Sequence, residues 1–476
     1  MKQKRVLTIL MMAVLACSVT ACGDEKEPSQ EETMSVDAGK EESEDQEEEP
    51  EEDLEAEEPE DASVRDFQTD AAIEETVLVD ENDIKITATD LSYDNYSAKL
   101  NLVIENNSDK NLSFVTGSIG YSCCAINGYM IDNGYLNADV AAGKKSNETI
   151  SFDTEALLLY GITQIADIQI GFDITDEDYT HEYVNPVQIK TSAADTYDYE
   201  TDTYRREISS GTWEALSGCS VDYYVEEEIY SAGGARIESA ALITNKDGER
   251  TFLMELANEQ DQIINGSAGD IAINGLTLQS YEYSLGTVIP GTRRVMMVSM
   301  SDLIDVACLE PFGIADIEEF ACTFMLEDND NHEIEKPKEI SVVLTENMAS
   351  IDDSGEELYN EDGIRIVSKG LIEGSAELMD DIHILLLVEN QSAKTICIDE
   401  AYGSLSINGF MVDASGLTSL EIDPDKRAVF DVAIYKSALE DNRITDISDI
   451  AEAELTLEIT DQKFNTIAEP AVKISF

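Results

Sequence analysis

Ile126-Asn127-Gly128-Tyr129, Ile273-Asn274-Gly275-Leu276 and Ile407-Asn408-Gly409-Phe410 set the same Asn-Gly pair between apolar residues three times in a chain of 476 residues. Asn and Gly accept the positive φ that a type I′ turn requires at both central positions, so each quartet predicts a two-residue β-hairpin. The residues leading in, Cys124-Ala125, Ile271-Ala272 and Leu405-Ser406, fit the pattern of a half-buried strand.

Two further stretches recur around the hairpin in fixed order, which marks an internal repeat. Upstream lie VLVDENDIKITATDL from Val77, EIYSAGGARIESAAL from Glu228 and ELYNEDGIRIVSKGL from Glu357. Each reads as a short strand, a turn rich in Gly, Asp or Asn, and a second strand. Downstream lie ITQIADIQIGFDITD from Ile162, IADIEEFACTFMLED from Ile314 and ISDIAEAELTLEITD from Ile447, whose second halves alternate apolar and polar residues. A proline follows each: Pro186, Pro337 and Pro470. Proline cannot donate to a central ladder, so the last strand starts there or lies at an edge. A strand ending in a polar step precedes each hairpin, at 100–106, 252–258 and 384–390, and helix-like patches fall at 154–160 and 436–442.

Roughly seven or eight short strands in about 115 residues per copy argue an all-β chain: three tandem antiparallel β-sandwich domains of immunoglobulin-like size. They occupy 73–191, 228–345 and 357–476, and a small open barrel is the alternative architecture. The Cys…Trp…Cys hallmark of immunoglobulin domains is missing, and the single tryptophan, Trp213, lies outside the repeats. Residues 192–227 join copies one and two and carry Tyr197, Tyr199, Tyr204, Trp213, Tyr223 and Tyr224. The stretch is expected to form an extra hairpin packed on a neighbouring sandwich, with a binding surface as the alternative. Residues 346–356 read as a short hinge.

The first 72 residues have a different composition. Lys2, Lys4 and Arg5 precede an apolar run over 6–16. It is too short for the roughly 20 residues a bilayer span needs, and it suits the core of a signal peptide. The run ends in Val19-Thr20-Ala21-Cys22-Gly23. This resembles the lipobox of bacterial lipoproteins. The resemblance implies that residues 1–21 are a signal peptide with Val19, Thr20 and Ala21 as its lipobox. It further implies that Cys22 is acylated, for example with palmitate, and anchors the protein in the cell membrane at its extracytoplasmic face. Residues 22–72 are dominated by Glu and Asp and cannot bury enough apolar surface to fold, so they read as a disordered acidic tether. At about 3.3–3.6 Å per residue, the stretch between Cys22 and the first strand reaches at most about 180–200 Å. The whole arrangement is similar to the tandem β-sandwich lipoproteins of Gram-positive, clostridia-like bacteria, whose modules are mostly uncharacterised. That likeness implies a fold and an extracytoplasmic setting, and no activity.

Thirty basic against 101 acidic side chains leave a net charge of −71, a field that repels nucleic acid. Catalytic signatures such as G-x-S-x-G, H-E-x-x-H or a phosphate-binding loop do not occur, which argues against an enzyme. Apart from Cys17 in the leader and Cys22 at the anchor there are six cysteines. Cys124 and Cys322 fall at inward strand positions, so buried thiols are the default, and Cys308 with Cys322 is the best candidate for a disulfide. His181 and His332 stand at matching places before Pro186 and Pro337, where shared descent explains them; His383 shows no metal partners. Asp328, Asp330 and Glu333 form the one candidate metal set, suited to Ca²⁺, although the EF-hand spacing is not met. No cofactor is implied. The expectation is a non-enzymatic binding or interaction module whose partners are the membrane, through Cys22, and an envelope or surface protein. The alternative is a ligand- or cation-binding accessory lipoprotein of a transport or envelope system.

Overall fold

The computed structural model describes residues 66–117, 123–304, 306–345, 348–374, 381–413 and 419–476. The signal peptide, the lipobox with Cys22, and the tether up to residue 65 lie outside them. Among the described residues no helix is long and apolar enough to cross a membrane.

Each copy opens with the same four-stranded antiparallel sheet. In copy one it runs Thr76–Glu81, Ile84–Tyr93, Ser97–Asn106 and Lys144–Asp153. The counterparts are Ser220–Ala232, Ala235–Thr244, Arg250–Asn258 and Arg293–Ser299, then Glu356–Glu361, Ile364–Glu373, Asp381–Asn390 and Arg427–Tyr435. The second sheet is built on the downstream landmark: Asp167–Asp176, Glu319–Asp328 and Glu452–Asp461. Alternation closes the sandwich. Ile84, Ile86, Leu100, Leu102 and Ile104 from the first sheet meet Ile168, Ile170, Phe172 and Ile174 from the second in one buried cluster. Copies two and three repeat this with their own clusters. The sheets stay open, so the barrel alternative is set aside.

The recurrent polar steps prove to be structural. Asn106, Asn258 and Asn390 are buried, and each side-chain amide donates to two backbone carbonyls: Lys110 and Val140, Gln262 and Val288, Lys394 and Ile422. A buried carbonyl needs a donor, and an asparagine at the strand end supplies one to two loops at once. The prolines also fall as expected. Pro186 and Pro337 lie in strands that pair on one side only, and the register of the first breaks between Val184 and Val187.

Residues 192–227 correct the expected hairpin. They form two short helices, Thr203–Ser209 and Thr212–Ser217, before the first strand of copy two begins at Ser220. Asp202 caps the first helix by accepting from the Arg205 amide, and Gly211 and Gly218, both at positive φ, bound the second. Tyr204 and Ile208, four residues apart on one helical face, join Trp213 in the core cluster of copy one. Tyr204 and Trp213 are therefore core side chains and not an exposed surface. The described part of 346–356 is docked as well: the Asp352 amide donates to the Phe312 carbonyl, and Lys369 Nζ donates to the carbonyls of Asp352 and Ser354.

Candidate functional site

The three Asn-Gly hairpins hold the chain together as well as turning it. Asn127, Asn274 and Asn408 take positive φ. Each side chain latches onto the start of the downstream landmark. Asn127 Nδ2 donates to the Gln164 carbonyl while its Oδ1 accepts from the amides of Ala166 and Asp167. Asn274 does the same with Asp316, Glu318 and Glu319, and Asn408 with Asp449, Ala451 and Glu452. The second strand of each hairpin is thereby held at the edge of the second sheet of its own sandwich.

In copies one and two that strand is taken up by the next copy. Tyr129–Ile131 pairs in parallel with Arg293–Ser299, with Tyr129 opposite Arg293 and the Arg293 amide donating to the Gly128 carbonyl at 2.8 Å. Leu276–Gln279 pairs in parallel with Arg427–Tyr435, placing Leu276 opposite Arg427 and Thr277 opposite Ala428. The second sheet of one sandwich thus continues into the first sheet of the next.

The first junction is closed by buried ions. Glu255, whose carboxylate is fully buried, accepts from Arg205 Nε at 2.6 Å and from Ser239 Oγ, with Arg293 3.5 Å from its other oxygen. Arg205 also pairs with Asp202 and Glu238, and Arg293 with Asp202. The Tyr129 hydroxyl donates to Asp202 at 2.9 Å and accepts from the amides of Thr203 and Tyr204. Burial, reinforced by the nearby Asp202 carboxylate, pushes the Glu255 carboxyl up to about 7. The network ties together the hairpin of copy one, the helical insert and the sheet of copy two.

The second junction is mainly apolar. Leu276, Cys308, Leu309, Phe312 and Ile314 of copy two pack on Val367, Leu385, Leu387 and Val429 of copy three. At its edge His383 Nδ1 lies 2.9 Å from Asp431, and ligand atoms of Cys308, His383 and Asp431 lie within 4.8 Å of one another. The sequence carried no sign of this set, because its members are 75 and 48 residues apart and none recurs in the other copies. The expected Cys308–Cys322 bridge is not formed. Cys308 belongs to the junction, Cys322 to the core of copy two, and both are thiols. Burial pushes the thiols of Cys124 and Cys322 up to about 12, as inert core side chains require.

Among the described residues the second strand of the third hairpin, Phe410–Met411, pairs only with its own first strand, Ser406–Ile407. Tyr129 and Leu276 are 4% and 0% exposed, whereas Phe410 is 50% and Met411 60% exposed. The acidic loop of copy two offers less. Asp328, Asp330 and His332 come together, and Glu333 is not among them. Asp328 Oδ1 accepts from the amides of Asp330 and His332, as Asp176 does from Asp178 and Thr180, and Asp461 from Lys463 and Asn465. The aspartate shapes a turn in all three copies, and its carboxyl is held below the usual range: by the Lys110 ammonium and then the turn amides at Asp176, by the turn amides at Asp328, and by the Asn465 side chain and then the turn amides at Asp461. An open cleft of about 530 Å³ on copy two is lined by Asp222, Thr244, Arg250 and Asp316.

No family model and no curated protein matches the chain. Among solved structures, a 1.5-MDa bacterial ice-binding adhesin described for its host cell surface retention is 11% identical, with 80% of this chain and 90% of that chain covered, at a TM-score of 0.14. Red sea bream transglutaminase is 8% identical over 56% of this chain and 32% of that one, with a TM-score of 0.15. A protein of unknown function from Porphyromonas gingivalis W83 is 9% identical over 48% and 91%, with a TM-score of 0.14. Scores this low carry no argument, and the fold rests on the sheets themselves.

Proposed function

We propose that the chain is a membrane-anchored extracytoplasmic lipoprotein whose three sandwiches form a non-enzymatic interaction module for an envelope or surface protein. The exposed hairpin at Phe410 and Met411 carries this reading, because its two counterparts are both binding surfaces that another sandwich fills. The lipobox ending in Cys22 and the acidic composition of 22–72 support display at the end of a spacer. Two acyl chains on Cys22 give stable anchoring where a single chain does not. Replacing Cys22 with Ala is expected to move the protein from the membrane fraction to the medium with its melting temperature unchanged. Crosslinking on intact cells is expected to join the wild-type chain to a discrete partner, and a chain that captures none is a passive spacer. The set Cys308, His383 and Asp431 favours a second, cation-binding reading; saturable Zn²⁺ uptake that H383A abolishes would support it.

A further inference from the structure

The two filled junctions define what the open one fits. At both, the incoming edge strand runs parallel to the hairpin strand and begins with a basic residue followed two places on by valine: Arg293-x-Val295 and Arg427-x-Val429. The arginine stands opposite the first residue of the hairpin strand. The valine points to the outer face of its sheet with aliphatic neighbours, Ala241, Ile243 and Leu253 in copy two, Val367, Leu385 and Leu387 in copy three. That outer face is what the preceding sandwich covers.

Copy one carries the same edge strand with different chemistry. Its register partners Lys145 with Glu105, Asn147 with Val103 and Thr149 with Asn101. The same ladder in copy two pairs Arg293 with Ala257, Val295 with Glu255 and Met297 with Leu253. Positions Leu253, Val295 and Met297 thus correspond to Asn101, Asn147 and Thr149. Asn147 and Thr149 are exposed, and Asn101 donates to Asp90 and accepts from Thr149. An array of stacked units needs such a polar outer face at its end. Covering it with a hairpin would take Asn101, Asn147 and Thr149 out of water against an apolar strand, leaving their remaining hydrogen-bonding capacity unmet. A second copy of this chain is therefore a poor occupant for Phe410 and Met411.

We infer that the 408–411 hairpin docks a β-sandwich domain of a separate protein whose edge strand presents Lys or Arg, one residue, then valine or another aliphatic residue, paired in parallel with Phe410 opposite the basic residue. This rests on the interaction-module reading and specifies the partner. The acceptor's basic head also suits a chain of net charge −71.

The chain itself can be made into the probe. N101L/N147V/T149M gives copy one the outer residues of copy two. In sedimentation velocity the wild type is expected to remain monomeric, while the triple variant forms concentration-dependent head-to-tail oligomers that F410D/M411D, added to it, returns to monomer. Independently of how the triple variant folds, a peptide of residues 292–299, TRRVMMVS, is expected to bind the wild-type chain saturably and F410D/M411D at least tenfold more weakly. Neither oligomers nor peptide binding, or binding insensitive to F410D/M411D, overturns the inference. So does self-association of the wild type through 410–411, which would make a second copy the occupant. Failure here with a crosslinked partner still found on cells would leave the interaction-module reading standing and reject only this docking mode.

Discussion

The two junctions share one backbone arrangement and an Arg-x-Val edge strand, and differ in the side chains packed around it. The first is sealed by Glu255, Arg205, Asp202 and Arg293, the second by Leu276, Phe312, Leu385 and Leu387. In both, a hairpin strand only a few residues long pairs in parallel with the edge of the next sandwich. The joint is therefore specified by the hairpin, its asparagine latch and the Arg-x-Val edge it receives, and the chemistry around that contact is free to vary. The two fillings respond to different perturbations. Buried ions fail when one partner goes, because the other is left charged in an apolar setting. Packed aliphatics fail in proportion to the cavity made.

The largest effect should come from breaking the ionic junction. Arg205→Ala removes the closest counter-charge of Glu255 and is expected to cost about 3–5 kcal/mol, read by urea unfolding. Loss of less than a third of that would mean Arg293 alone suffices. At the second junction Leu387→Ala should cost about 2–4 kcal/mol with no dependence on salt, whereas 0.5 M NaCl should alter the Arg205→Ala effect. Equal salt dependence at both sites would erase the distinction between them.

Smaller, and specific to the first junction, is a pH effect. The folded Glu255 carboxyl lies near 7, above its ordinary value of 4.5. A raised carboxyl contributes stability that is present below the unfolded value and is lost as pH rises through the folded one. The melting temperature of the wild type minus that of E255Q is thus expected to be larger at pH 5 than at pH 8, and a flat difference over that range would show that Glu255 keeps an ordinary pKa. Least of all should be the response to Ca²⁺. Asp328 already accepts two backbone amides, so D328N is expected to weaken its turn slightly, and micromolar Ca²⁺ to leave the melting temperature of the wild type where ionic screening alone puts it.

The fold was legible because its signals are local. Asn-Gly turns, alternating strands and strand-breaking prolines each act within a few residues, and three copies let each confirm the others. The junctions were not, because Tyr129 and Arg293 meet across a whole domain and the pairing leaves no periodicity. One trace was there to read. The copy-one edge strand is polar at every position of KKSNETIS but Ile150, while RRVMMVS in copy two is apolar on both faces, which a strand covered on one face does not need. The helices of 192–227 were missed for a different reason. They are only seven and six residues long, below what sequence periodicity resolves, and they hold by docking Tyr204, Ile208 and Trp213.

The polar outer face of copy one and the bare hairpin of copy three give the array a direction of growth. A unit of the copy-two kind, with an acceptor edge upstream and a hairpin downstream, keeps both backbone connections when duplicated, provided the side chains at each new joint are matched. A duplicate of copy one placed in the interior would instead bury Asn101, Asn147 and Thr149. Gene duplication or protein engineering can therefore set the reach of this molecule by counting middle units matched in that way.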